Sequence, residues 1–200
     1  MKLINKIIDG EGQIQIPDCT RDELPEFFVD KGFKVGVEIG VYRGQYTEKL
    51  CKAGLKIYGI DPWHPYRGYH DKRKNFIKRS QEIFAEATKR LAPYDCTLIQ
   101  KMSMDAIDDF ENESLDFVYI DGNHGFKQVV EDIYEWSFKV KKGGVIAGHD
   151  YALSPRLRVK HAVNGYTKAY RINPWYVLGT RKMIPGQKRD QWRSWMWVKK

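Results

Sequence analysis

Short β-rich apolar runs alternate with stretches of helical periodicity along nearly the whole chain, and no other feature of the sequence restricts its fold so tightly. The runs stand at Val35–Ile39, Lys56–Ile60, Cys96–Gln100, Phe117–Ile120, Gly144–Ala147, Trp175–Leu178 and Trp195–Val198. Thr20 and Glu23 form a capping box ahead of a helix over 21–31. A second helix is predicted from Gly44 to Gly54. A third, over Asp71–Leu91, sets Phe76, Ser80, Ile83, Phe84, Ala87 and Leu91 on one face and stops before Pro93. A fourth covers Phe126–Val140, closed by Gly143 and Gly144, and a fifth covers Leu157–Tyr170. Parallel strands need long crossovers, and helices supply them, so the alternation predicts an α/β fold with a mostly parallel sheet covered on both faces. The last two runs are joined only by Gly179–Gln187, too short for a crossover helix, and are expected to pair antiparallel at one sheet edge. That makes seven strands.

Two hundred residues suit one domain, with 32–200 as its core and 1–31 as an N-terminal extension carrying its own helix. A composition of 42% apolar and 30% charged residues supports a packed core rather than a disordered chain. Cys19, Cys51 and Cys96 lie far apart with no CxxC pair, which excludes a disulfide scaffold and a cysteine-built zinc site and points to a reducing compartment. Lys6 interrupts the apolar run at the N-terminus, and no window approaches the roughly 18 uncharged residues of a membrane span. The expectation is a soluble, cytoplasmic protein.

In an open α/β sheet, ligands sit at the carboxyl ends of the strands. The first strand run reads VGVEIG and continues VYRG into a helix, so Gly40 and Gly44 permit a tight turn and a helix N-terminus follows. The glycines are four apart, which is not the GxGxxG dinucleotide spacing. Glu38, on the last turn of a buried strand, is costly to desolvate unless it meets a cation or hydrogen-bond donors. It would repel a pyrophosphate and suit a ligand carrying an ammonium group. Asp61, after the second strand, stands where a carboxylate accepts the hydroxyls of a ribose.

ExGxxxG at Glu38–Gly44 followed by Asp61 resembles the cofactor site of class I S-adenosylmethionine-dependent methyltransferases, whose fold is a Rossmann-like sheet. The resemblance assigns Glu38, Gly40, Val41 and Gly44 to the cofactor, with Gly40 flanking its methionine part and Asp61 its ribose. Trp63, Met102 and Ser103 fall beside the adenine. Farther on, DFVYIDGNH and GGVIAGHDY end in Asp121, and in His149 and Asp150. If their strands are neighbours, these side chains converge around one cleft, a set that suits Mg²⁺ or, with imidazole present, another divalent metal. The segment Phe117–Tyr151 resembles methyltransferase domain 24 and, more distantly, the metal-dependent sugar O-methyltransferases of macrolide biosynthesis. By that resemblance Asp121 and the pair after the fifth strand hold the metal and Asp121 also touches the cofactor, while His124, three residues beyond Asp121, is the catalytic base. His149–Asp150 stands where those enzymes have two acids.

Charge is unevenly spread. The net +8 conceals eleven acidic and five basic residues in 101–150, against one acid, Asp190, and twelve Lys and Arg in 151–200. Such a surface fits an anionic acceptor, a glycan or small molecule bearing phosphate or carboxylate, with the basic segments His64–Arg79 and Arg156–Lys168 as lids. A nucleic-acid methyltransferase or polyanion-binding protein is the alternative. DGNH is unlike the Asp/Asn-Pro-Pro-aromatic loop of amino methylases, and the last glutamate, Glu135, lies too early for the tetrad of RNA ribose methylases. A nicotinamide oxidoreductase is disfavoured by Glu38 and the missing GxGxxG. A homo-oligomer is left open.

Overall fold

A computed structural model describes residues 2–7, 9–64, 76–155 and 157–200. It contains eight strands: β1 Gln13–Ile16, β2 Val35–Ile39, β3 Lys56–Ile60, β4 Cys96–Ile99, β5 Leu115–Ile120, β6 Val140–Gly148, β7 Trp175–Leu178 and β8 Ser194–Val198. They form one sheet in the order β1-β7-β8-β6-β5-β2-β3-β4. Only β8 runs against the rest, pairing antiparallel with both β6 and β7. Helices α1 Leu24–Asp30, α2 Gln45–Lys52, α3 Phe76–Leu91, α4 Ser103–Ala106, α5 Phe126–Lys139 and α6 Val159–Ala169 provide the crossovers and cover. Among the described residues no helix is long and apolar enough to cross a membrane.

The central strand shows why the sheet is two-sided. Every residue of β5 is buried, as expected of a strand covered on both faces. Phe117 and Tyr119 join Phe28, Tyr46 and Leu50 on one side, the Phe28 and Phe117 rings stacking at 4.0 Å. Val118 and Ile120 join Ile133, Trp136 and Val163 on the other. Fully burying large apolar side chains such as these contributes roughly 1.5–3 kcal/mol each.

The expected antiparallel pair is present as β7 and β8, but it does not form the edge. β1 adds beyond it, parallel to β7, with Gln13 opposite Trp175 and Ile16 opposite Leu178. Its sequence, QIQI, has two apolar residues in four and gains strand character by pairing with β7. Part of the 1–31 segment is therefore a strand of the sheet. The capping box at Thr20 forms as expected and opens a 3₁₀ turn over Arg21–Glu23 that leads into α1. β6 starts four residues earlier than its predicted run, because a register shift against β5 absorbs the glycines that were expected only to close the helix. The start of the helix expected from Asp71, and most of the expected lid over His64–Arg79, lie outside the described residues, as does Arg156.

Candidate active site at the carboxyl edge of the sheet

The register lines up four strand ends. Ile39 lies opposite both Ile60 and Ile120, and Ile120 lies opposite Gly148. The next residue of each strand continues the row: the amides of Gly40, Asp121 and His149 donate to the carbonyls of Ile60, Ile39 and Ile120 at 2.8, 2.8 and 3.0 Å. The amide of Asp61 donates outward to Ile99. The strand order reverses between β2 and β5, so this row crosses the topological switch point. Three non-glycine residues here have positive φ: Tyr42, Trp63 and Asp150. Such backbone persists only where its surroundings enforce it.

On the β2–β3 side, Gly40 has φ +91°, and a Cβ there would stand 2.2 Å from the Asp121 carbonyl oxygen. The turn after β2 thus packs directly on the turn after β5. Gly44, also left-handed, precedes α2. Glu38 is 1% exposed, its Oε2 has no hydrogen-bond partner, and burial pushes its carboxyl up to about 8. The Asp61 carboxylate accepts the amides of Tyr42 and Trp63, each at 2.9 Å, which opposes the upward effect of its burial. Val41 and Trp63 are buried in a cluster with Ile83, Ala87 and Leu91, and the Trp63 ring packs on Phe84 while its Nε1 donates to the Tyr42 carbonyl. Met102 is half-buried ahead of α4. The Ser103 hydroxyl donates to Asp132, whose carboxyl is pushed by burial up to about 7.

On the β5–β6 side, carboxylates meet cations. Asp121 accepts from Arg21 Nη1 at 3.0 Å. His124 Nε2 lies 2.7 Å from Asp150 Oδ2 and 3.9 Å from Asp121 Oδ1. Burial works against a charge on this imidazole, but the two carboxylates outweigh it and push it up to about 10. Burial likewise opposes ionisation of Asp150, and His124 and His149 outweigh it, holding that carboxyl well below the usual range. Asp121, His124 and Asp150 each offer one ligand atom, and the three atoms lie within 4.8 Å of one another. His149, expected in the metal set, stands beside it: Nδ1 is 3.8 Å from Asp121 and 3.7 Å from Asp150, and Nε2 is 4.0 Å from Asp190. His124, expected as a base, is inside it. It does not cap α5; Asn123 organises that turn by accepting the Gly125 amide.

Sequence reasoning did not find Arg21 or Asp190 as site residues. Arg21 sits beside the capping box and reaches Asp121 across one hundred positions, stacked over Tyr46. Asp190 was visible as the one acid of a basic quarter. Of the basic segment Arg156–Lys168, Arg158 donates its amide to the His124 carbonyl. A cavity of about 580 Å³ opens at the opposite end of the strands by Val35, Lys56 and Leu115, away from all these residues.

Residues 37–151 match the model of a methyltransferase domain family, type 24. An uncharacterized protein of Sinorhizobium fredii, y4gI, is 25% identical over 122 residues, a match taking in 57% of this chain and only 13% of that protein's length. Solved structures share the fold. The O-methyltransferase of Bacillus cereus in complex with S-adenosylhomocysteine aligns at TM-score 0.60 and 15% identity over 90% of this chain and 80% of its own. The O-methyltransferase TomG of Streptomyces achromogenes, in complex with S-adenosylmethionine, aligns at 0.61 and 12% over 90% and 79%. An rRNA methylase of Streptococcus thermophilus aligns at 0.57 and 15% over 88% and 95%.

Proposed function

The chain belongs to the methyltransferase domain family of class I S-adenosylmethionine-dependent methyltransferases, and from that premise we propose that it methylates a hydroxyl of a small anionic acceptor, assisted by a divalent ion. Glu38, Gly40, Val41, Gly44 and Asp61 hold the methyl donor, with Trp63, Met102 and Ser103 lining its far end. The buried, unpartnered Oε2 of Glu38 fits a cationic ligand, because a carboxylate there gains its missing partner when an ammonium or sulfonium approaches. When bound, S-adenosylmethionine supplies a methyl already activated on sulfur.

The chain's own task is then alignment and proton handling. The observation that carries the hydroxyl acceptor is the convergence of Asp121, His124 and Asp150. Without an ion, the His124 imidazole keeps a proton that offsets one of the two carboxylates. Once that proton leaves, the same three groups present two oxygens and one nitrogen to Mg²⁺ or Mn²⁺. A divalent ion there would lower the pKa of an acceptor hydroxyl. The two histidines thereby exchange their expected roles: His124 is a ligand, and His149, between Asp150 and Asp190, takes the proton.

Methyl transfer from radiolabelled S-adenosylmethionine to a panel of hydroxylated phosphates and carboxylates tests this. Turnover that stops with chelator and returns with Mg²⁺ or Mn²⁺ supports it; turnover indifferent to chelator removes the ion from the reading. The twelve basic residues among the last fifty favour a second reading, a nucleic-acid acceptor. A salt-dependent gel shift with RNA would support that reading instead.

A further inference from the structure

Beside the row of strand ends lies a cavity of about 450 Å³, lined among others by Gln15 of β1, Thr180, Arg181 and Lys182 after β7, Gln187, and Arg193 before β8. Two backbone hydrogen bonds tie it to the reacting edge. The Asp190 amide donates to the Thr180 carbonyl at 2.8 Å, and the Tyr151 amide donates to the Arg193 carbonyl at 2.9 Å. Asp190 faces His149, and Tyr151 follows Asp150 directly.

The charge in this cavity is unbalanced. Three basic side chains line it and no carboxylate does. Among the described residues no carboxylate stands within ion-pair distance of Arg181, Lys182 or Arg193, whereas half-buried Arg21 is paired with Asp121. Arg193 is only 8% exposed. Its guanidinium lies over the Tyr151 ring at 5.3 Å, which satisfies its face, while Nε, in the plane, has no hydrogen-bond partner. A buried cation without a partner is costly. Burial, the largest effect, and then Arg181 outweigh Tyr151 and Asp190 and lower its hold on the proton, as expected of two like charges left facing each other. The Gln187 Oε1 is also buried and unpartnered, an acceptor free for a hydroxyl. Gln15 is already committed, its Nε2 donating to the Gly179 carbonyl at 3.1 Å.

We propose that this cavity binds the oxyanion, a phosphate or a carboxylate, of the acceptor whose hydroxyl reacts beside Asp121 and Asp150. The Arg193 and Arg181 guanidinium groups each offer a planar fork that can hold two oxygens of such a group, Lys182 adds charge, and Gln187 takes a neighbouring hydroxyl. This assignment rests on the methyl-transfer reading for its purpose and on the cavity for its chemistry.

The test is titration of the full chain with inorganic phosphate and with acetate, followed by tryptophan fluorescence, beside calorimetry with S-adenosylhomocysteine. Saturable binding of at least one anion is expected, and whichever binds tighter identifies the group carried by the acceptor. Exposed Arg181, replaced in Arg181→Ala, should weaken it about tenfold. Arg193→Gln should abolish it, and Arg193→Lys should restore only part, since a lysine lacks the fork. S-adenosylhomocysteine affinity should not move in any of these variants. No saturable signal from either anion, or anion affinity unchanged in Arg181→Ala and Arg193→Gln, overturns the proposal. If the anions fail while S-adenosylhomocysteine binds, methyl transfer stands and this subsite falls. If S-adenosylhomocysteine fails while the anions bind, the anion site stands and the methyl-transfer reading falls.

Discussion

Glu38 and Asp61 stand at the carboxyl ends of β2 and β3; Asp121 and Asp150 follow β5 and β6 on the same edge. Among the described residues the first pair has no cation within ion-pair distance: Glu38 is buried with one oxygen unpartnered, and Asp61 accepts the loop amides of Tyr42 and Trp63. The second pair is supplied with cations by the protein itself, Arg21 on Asp121 and His124 on Asp150. One half therefore leaves its acids short of positive charge, and the other sets a cation against each of them. A cationic, hydroxyl-bearing ligand completes the first half. A ligand of the second half must displace a proton or an arginine, so the two halves respond to pH and to substitution with opposite signs.

Gly40→Arg should break both halves at once, because its turn rests on the Asp121 carbonyl at positive φ. S-adenosylhomocysteine affinity measured by calorimetry should fall beyond detection, while circular dichroism checks that the sheet survives. Retained affinity would mean that the β2 turn is not part of the donor site. Asp121→Ala should separate the halves: turnover drops by roughly 10²–10⁴ while S-adenosylhomocysteine binding stays close to wild type. Full turnover on an identified acceptor would remove Asp121 from the chemistry.

Urea unfolding across pH, with chelator present, should show the opposite signs directly. The Glu38 carboxyl is raised in the fold, so its ionisation costs stability as pH climbs from its unfolded value near 4.5 through about 8. Glu38→Gln should therefore match wild type near pH 4 and exceed it by on the order of 3 kcal/mol at pH 9. The Asp150 carboxyl is depressed, so the stability it contributes is present above its unfolded value and lost as pH falls through the lowered range. Asp150→Asn should be less stable than wild type at neutral pH and converge with it in acid. Parallel curves for the two variants would refute the contrast. The smallest effect is thermal: Mn²⁺ should raise the melting temperature of wild type by about 2–4 °C and leave Asp150→Asn unmoved.

Much of the fold was legible because its signals are local. Val35–Ile39, Lys56–Ile60 and Trp175–Leu178 are strands with the bounds that their β-rich runs indicate. The Thr20–Glu23 box caps a helical turn, because both partners lie within four residues. The glycine turn was legible for the same reason, and Gly40 does hold the positive φ that its place after a buried strand implies. β1 was not legible: four residues of alternating QIQI are too few to declare a strand without β7 beside them. Nor was it legible that His124 rather than His149 stands closest to Asp150, at 2.7 Å against 3.7 Å, since the two follow different strands and are told apart only by the direction each ring takes.

The chain by itself determined the alternating architecture, the turn at Gly40, and the placing of acids after the parallel strands, because periodicity, backbone freedom and the position of a residue after a strand are properties of neighbouring residues. Only the tertiary structure decided which charges meet. Arg21 and Asp121 are one hundred positions apart, His124 and Asp150 twenty-six, and Tyr151 and Arg193 forty-two. Whether such pairs touch depends on strand order and register, and those are set by how both faces of the whole sheet are buried together.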